Sequence, residues 1–193
     1  MNLPNKLTLM RIVLVPVFMI FAALGKIGAP DYNRTMYLAA AIVFALASIT
    51  DYLDGHLARK WGMVTDFGKF ADPLADKMLT TTAFLYMMAD GMCSPVVLVV
   101  ILAREFAVAG LRMVAAGAPS GKVIAANMWG KVKTVLQMLV IIYYYLMAAF
   151  APVDATGFVA ASSNALCWLV AAVTLISGVK YLWDNREFIN TAK

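Results

Sequence analysis

The chain has 193 residues, of which 63% are hydrophobic and only 14% charged, against about 25% charged in soluble globular domains. That balance excludes an ordinary soluble domain and implies an integral membrane protein, built as a single domain over residues 1–193. The net charge of +5 does not imply a nucleic-acid partner, because in a membrane protein the placement of Lys and Arg matters more than their sum.

In chain order, residues 1–6 are polar, contain Pro4 and read as a short N-terminal interfacial helix, with Lys6 and Arg11 toward the lipid headgroups. Asn5, Thr8 and Arg11 lie three apart and form one polar stripe if this stretch is helical. The first apolar run, Leu7 to Leu24, lacks a small-residue cleavage site and reads as a first span rather than a signal peptide. A loop rich in Gly, Pro and Asp follows to Asn33. Further spans are predicted from Thr35 to Ala58, Lys69 to Ala89, Pro95 to Ala116, Asn127 to Phe150 and Phe158 to Trp183. Pro73 is tolerated near a helix start, where a missing N–H costs little. Asp90, Gly91, Ser94 and Pro95 mark a tight turn, residues 117–126 a second polar loop, and Asp184, Arg186 and Glu187 a polar tail. Stretches of about 20 residues suit a hydrocarbon core of about 30 Å. The expected fold is therefore all-α and polytopic, with six transmembrane helices after the interfacial helix. With the N-terminus in the cytosol, Lys26 and Arg34 are the only basic residues on the far side, which satisfies the positive-inside rule.

Four aspartates stand beside the most apolar sequence. Asp51 and Asp54 are three apart and share a face at the end of the second span; Asp72 and Asp76 are four apart and share a face at the start of the third. The short link makes these helices antiparallel neighbours, so both pairs converge near one membrane surface. Four carboxylates packed together do not all stay ionised without cations. Oxygen-only ligands favour a hard divalent ion, Mg²⁺ or Mn²⁺, and such ions bring phosphates with them. Gly55, Ala58 and Gly68 leave room for close approach, and Arg59 offers a planar donor fork. Helix capping and pairing with Arg59, Lys60, Lys69 and Lys77 is the plainer alternative for any one of these aspartates.

A second charged set lies on the fourth and fifth spans. Arg104 and Glu105 interrupt an apolar run, Arg112 follows two turns later on the same face, and Lys131 and Lys133 open the fifth span. Intramembrane cations near an acidic cluster suggest a phosphate pocket. Snorkelling, with Glu105 neutralising an arginine, is the competing reading. Tyr143, Tyr144 and Tyr145 read as an interface belt. His56 has no partner donors and reads as a non-ligand, and Cys93 and Cys167 read as free thiols.

The spacing Asp51-x2-Asp54-Gly55-x2-Ala58-Arg59-x8-Gly68-x3-Asp72-x3-Asp76 resembles the signature of the CDP-alcohol phosphatidyltransferases at every fixed position. Two further stretches resemble the phosphatidylglycerophosphate synthase branch of that family: Asn2 to Thr8 with Arg11, and Lys122 to Asn127 followed by Gly130 to Thr134. The resemblance implies an enzyme that moves the phosphatidyl group of CDP-diacylglycerol to sn-glycerol 3-phosphate and releases CMP. It implies two Mg²⁺ or Mn²⁺ ions on Asp51, Asp54, Asp72 and Asp76, with Asp76 also taking the alcohol proton. It places Asn5, Thr8, Gly55, Ala58, Arg59 and Gly68 on the nucleotide side. Arg104, Arg112, Lys131 and Lys133 suit an acceptor that already bears a phosphate. A homodimer among membrane lipids is implied, in a bacterial-type inner membrane with its active site facing the cytoplasm. A sister enzyme using inositol phosphate, serine or a preformed phospholipid is the near alternative, and a divalent-cation transporter the distant one.

Overall fold

A computed structural model of the chain describes the backbone of residues 3–61, 66–117 and 128–190, with side chains described there except for 3–7, 51–61, 66–73, 76, 153 and 189–190. Every regular element among the described residues is helical: α1 (Leu3–Leu24), α2 (Pro30–Trp61), α3 (Asp66–Ala89), α4 (Pro95–Gly117), α5 (Met128–Phe150), α6 (Thr156–Asp184) and a last turn α7 (Glu187–Asn190). A 3₁₀ turn, Val153–Ala155, joins α5 to α6. The polar lead-in is not set apart: from Leu3 onward it is the first turn of α1. Pro30, with its φ already helical, opens α2 five residues before the apolar run begins.

The distribution of side chains is that of a bundle solvated by lipid. Leu46, Ile49, Val99, Phe106, Leu139 and Val179 are exposed, whereas Thr8, Arg11, Lys133, Gln137, Ser163, Thr174 and Ser177 are buried. Three stretches are long and apolar enough to cross a membrane, Pro30–Thr50, Met128–Phe150 and Thr156–Asp184, and Thr8–Leu24 forms a shorter apolar helix. The chain is thus a multi-pass membrane protein. α2 has 32 residues, so it is about 48 Å long and outruns a hydrocarbon core of about 30 Å.

Helices α2 and α3 both pack on α1; α5 lies between α2 and α6, and α4 packs on α6. On α2, Ala40, Ala47 and Phe44 are fully buried along one face, and the small alanines let neighbouring backbones approach closely. Phe18 of α1 centres the core, its ring 6.0 Å from that of Phe44, 6.4 Å from Tyr86 and 5.3 Å from Tyr145. The tyrosine run is therefore not a lipid-facing belt: Tyr144 and Tyr145 are core residues, and Tyr143 donates to Ser162 at 2.9 Å. Successive residues turn about 100° around a helix, so three in a row do not share one face.

The turn from α3 to α4 is closed by Gly91 at φ +74°. Met92 N–H donates to the Met87 carbonyl at 2.9 Å and Gly91 N–H to that of Met88 at 3.0 Å. This double closure needs a left-handed residue, and glycine takes that conformation without a Cβ clash. Cys93 and Cys167 are free and buried. Although distant in sequence, they come side by side in the core.

Overpacking the alanine face is expected to hurt where enlarging the lipid face does not. Ala47→Leu should lower the unfolding free energy by about 1–3 kcal/mol, read by denaturant titration in mixed micelles. Leu46→Met, on the exposed neighbour, should leave it unchanged.

Candidate functional site

Helix register decides how far the acidic motif is organised. Asp51 and Asp54 lie in the last turns of α2, and Asp72 and Asp76 in the first half of α3. Spacings of three and four put each pair on one helix face. The side chains of Asp51, Asp54, Asp72 and Asp76, and those of Asn5, Ala58 and Arg59, lie outside the described residues, as do the surroundings of Gly55 and Gly68.

Of the predicted nucleotide-side stripe, Thr8 is described, and it is 1% exposed; Arg11, one turn on, is equally buried. Arg11 is therefore not a headgroup anchor. A guanidinium is kept inside a low-dielectric bundle only where acidic or polar groups compensate it. The helix that carries Arg11 packs on α2 and α3, the two helices that bear the aspartates.

The second charged set is described in full and forms two separate groups, with Lys131 in neither. Glu105 of α4 is the centre of the first. Its carboxylate accepts from Arg104 Nη1 at 3.1 Å, pairs with Lys133 Nζ of α5, and lies 3.8 Å from Lys77 Nζ of α3. Three cations around one carboxylate leave positive charge in excess. Two of them, Lys77 and Lys133, border a cavity of about 420 Å³ between α3, α4 and α5, whose polar lining also includes Thr81, Glu105 and Gln137. Lys77 directly follows Asp76, so the cavity and the acidic motif share a helix.

Arg104 is seated by α6. Its Nη2 donates to Ser177 Oγ at 3.0 Å. A Cβ added to Gly178 would lie 2.8 Å from Arg104 Cγ, so only glycine leaves space for the arginine stem. Ser177 and Gly178 were not among the sequence candidates, while Lys77 and Glu105 were read only as pairing partners, Glu105 for an arginine, as its contact with Arg104 bears out. The signal for the α6 pair was present as a stripe of small or polar residues, Ser163, Cys167, Thr174, Ser177 and Gly178, at helical spacing in an otherwise apolar helix.

Arg112 does not join this group. Its Nε donates to the Tyr181 hydroxyl at 3.0 Å and its guanidinium lies 5.6 Å from that ring, about 12 Å farther along α4. Lys131 is exposed while Lys133 is buried, because residues two apart on a helix point to different sides.

Replacing the shared anion should be costly. Glu105→Gln leaves cations from three helices facing one another and should lower stability by about 2 kcal/mol, measured by denaturant unfolding in micelles. A loss below about 0.5 kcal/mol would mark the pairs as no stronger than surface ones.

The whole chain has known counterparts. The family model described as CDP-alcohol phosphatidyltransferase matches residues 1–176. A CDP-diacylglycerol–glycerol-3-phosphate 3-phosphatidyltransferase of Bacillus subtilis (strain 168) is 41% identical over 196 aligned residues, covering 99% of this chain and 98% of the relative. A protein of the same name from Rickettsia felis is 34% identical, with 97% of each chain covered. A probable phosphatidylglycerophosphate synthase of Mycobacterium tuberculosis is 36% identical, with 94% of this chain and 80% of the relative covered. With its signature spread over α2 and α3 and a likeness that runs nearly end to end, the chain belongs to the CDP-alcohol phosphatidyltransferase family.

Proposed function

We propose that the chain transfers the phosphatidyl group of CDP-diacylglycerol to sn-glycerol 3-phosphate, giving phosphatidylglycerophosphate and CMP. The observation that carries this reading is the eight-position signature on α2 and α3, in a chain alike over nearly its full length to relatives named for that reaction. The excess positive charge around Glu105 supports the choice of a phosphate-bearing acceptor over an uncharged alcohol.

The donor set of the signature fits a hard divalent cation, because it offers carboxylate oxygens and neither thiolate nor paired imidazole. Asp51, Asp54, Asp72 and Asp76 would hold two Mg²⁺ or Mn²⁺ ions. Held by these carboxylates, such ions would supply positive charge against the diphosphate and the departing CMP. The remaining work belongs to the chain. Arg59, with Asn5 and Thr8, binds the nucleotide phosphates, while Gly55, Ala58 and Gly68 leave room for them. Arg104 and Lys133, with Lys77, hold the acceptor phosphate. Arg112 and Lys131, nearer the cytosolic ends of α4 and α5, draw the anionic acceptor inward. Asp76 accepts the proton of the attacking hydroxyl, and the new phosphodiester stays in the membrane as CMP leaves. Fixed positioning of the two substrates supplies much of the acceleration.

The same reading makes the chain one domain of six membrane crossings, a homodimer in a bacterial-type inner membrane, with the site toward the cytosol. The clustering of Lys and Arg at one end of the bundle supports that orientation.

Purified protein should release CMP from CDP-diacylglycerol only with glycerol 3-phosphate and Mg²⁺ or Mn²⁺ present. Release driven better by inositol phosphate or serine would replace the acceptor, and metal flux without nucleotide would replace the enzyme. Asp76→Asn should cut kcat by at least about 100-fold while CDP-diacylglycerol binding persists. Gly178→Ala, which displaces Arg104, should raise KM for glycerol 3-phosphate roughly 10-fold and leave KM for the nucleotide lipid nearly unchanged.

A further inference from the structure

The end of the bundle opposite the signature holds a second cavity, of about 370 Å³. The ends of α1 and α5 and the starts of α2 and α6 enclose it, and none of the acidic motif or the Glu105 group lines it. Three charged residues do: Lys26, Arg34 and Asp90. Their situations differ. Asp90 is closed from two sides, with Lys26 Nζ 2.6 Å from Oδ1 and the Tyr144 hydroxyl donating to Oδ2 at 2.6 Å. Acid and lysine cancel.

Arg34 is not cancelled. Its guanidinium makes one hydrogen bond, from Nη2 to the Ala151 carbonyl at 3.2 Å, and Ala151 lines the same cavity. Among the described residues no carboxylate lies in ion-pair reach of it. A guanidinium has five N–H donors in a planar fork, so most of its donor capacity and all of its charge are left for a ligand. That fork matches the oxygens of a phosphate.

The walls indicate where the phosphate comes from. Tyr37, Met147, Ala148 and Val159 line the cavity beside the charged rim, and a free ion gains nothing from them. Around the same end, Ile27, Phe150 and Phe158 are 76%, 68% and 65% exposed, which marks the level at which lipid begins. A zwitterionic headgroup would bring its own cation against the uncancelled Arg34; an anionic one would not.

We propose that this cavity binds the phosphodiester of an anionic phospholipid in the leaflet opposite the acidic motif, with Arg34 as the anchor. The bound headgroup bridges the start of α2 to the α5–α6 connection and holds that end of the bundle closed. The site is independent of the reaction proposed above.

The test uses the full chain in neutral maltoside micelles, with the thermal unfolding midpoint as readout. Dioctanoyl phosphatidylglycerol should raise the midpoint of the unmodified protein by roughly 4 °C. The rise should persist in Asp76→Asn, which separates it from binding at the signature. It should vanish in Arg34→Gln and return at least in part in Arg34→Lys, while Arg34→Gln keeps its CMP-releasing activity and is thereby shown to be folded. An equal rise with inorganic phosphate would make this an ion site and overturn the lipid assignment. An equal rise with dioctanoyl phosphatidylcholine would overturn the preference for anionic headgroups. An undiminished rise in Arg34→Gln, or no rise at all, would overturn the site.

Discussion

The carboxylate of Glu105, shared by Arg104, Lys77 and Lys133, is the contact on which the arrangement of the signature-bearing half turns. A charge inside a lipid-solvated bundle costs several kcal/mol unless compensated at close range. No single helix supplies the compensation here. Lys77 comes from α3, Arg104 and Glu105 from α4, Lys133 from α5, and the Ser177–Gly178 seat from α6. The apolar faces must bring four helices together before the ions meet. Once met, the ions resist any sliding of one helix past another. The charges are also unequal in number, so the anion that organises the group does not exhaust it, and a cavity beside it keeps positive potential.

The bundle divides along its length. The half that carries the signature holds buried polar groups, among them Thr8, Arg11, Lys133 and Gln137. The middle is filled by the rings of Phe18, Phe44, Tyr86 and Tyr145. The far end is tied by Lys26, Asp90 and Tyr144 and by the glycine closure at Gly91. Packing dispersion, rather than water exclusion, drives helix association in lipid. An aromatic middle therefore holds the helices in place, while the polar half keeps enough space for ligands.

Much of the fold was readable in the residues. Predicted spans and observed helices agree closely at the α3, α4 and α5 boundaries, where Gly91 or Pro95 stops or starts a helix on backbone grounds alone. The reading erred where a residue type has two uses. Arg11 was placed with the headgroups and the tyrosine run at the interface, because arginine and tyrosine are common there. Arg11, Tyr144 and Tyr145 are buried, since the rotation of α1 and α5 turns them inward. The candidate phosphate group was legible as a list of cations but not as a partition. Arg104 and Lys133 converge on Glu105, Arg112 takes Tyr181, and Lys131 faces outward.

What the sequence alone determined was local: where helices begin and end, that they are solvated by lipid, and the spacing of four aspartates that names the family. Periodicity and covalent spacing act within one helix, so one-dimensional information suffices for them. What only the tertiary structure decided was pairing between helices. Lys77 and Lys133 meet Glu105, Gly178 makes space for Arg104, and Tyr144 reaches Asp90. Those partners lie up to 74 positions apart in the chain, and their meeting depends on the rotation and depth of whole helices. Those are set by packing summed over many side chains, and no single motif encodes them.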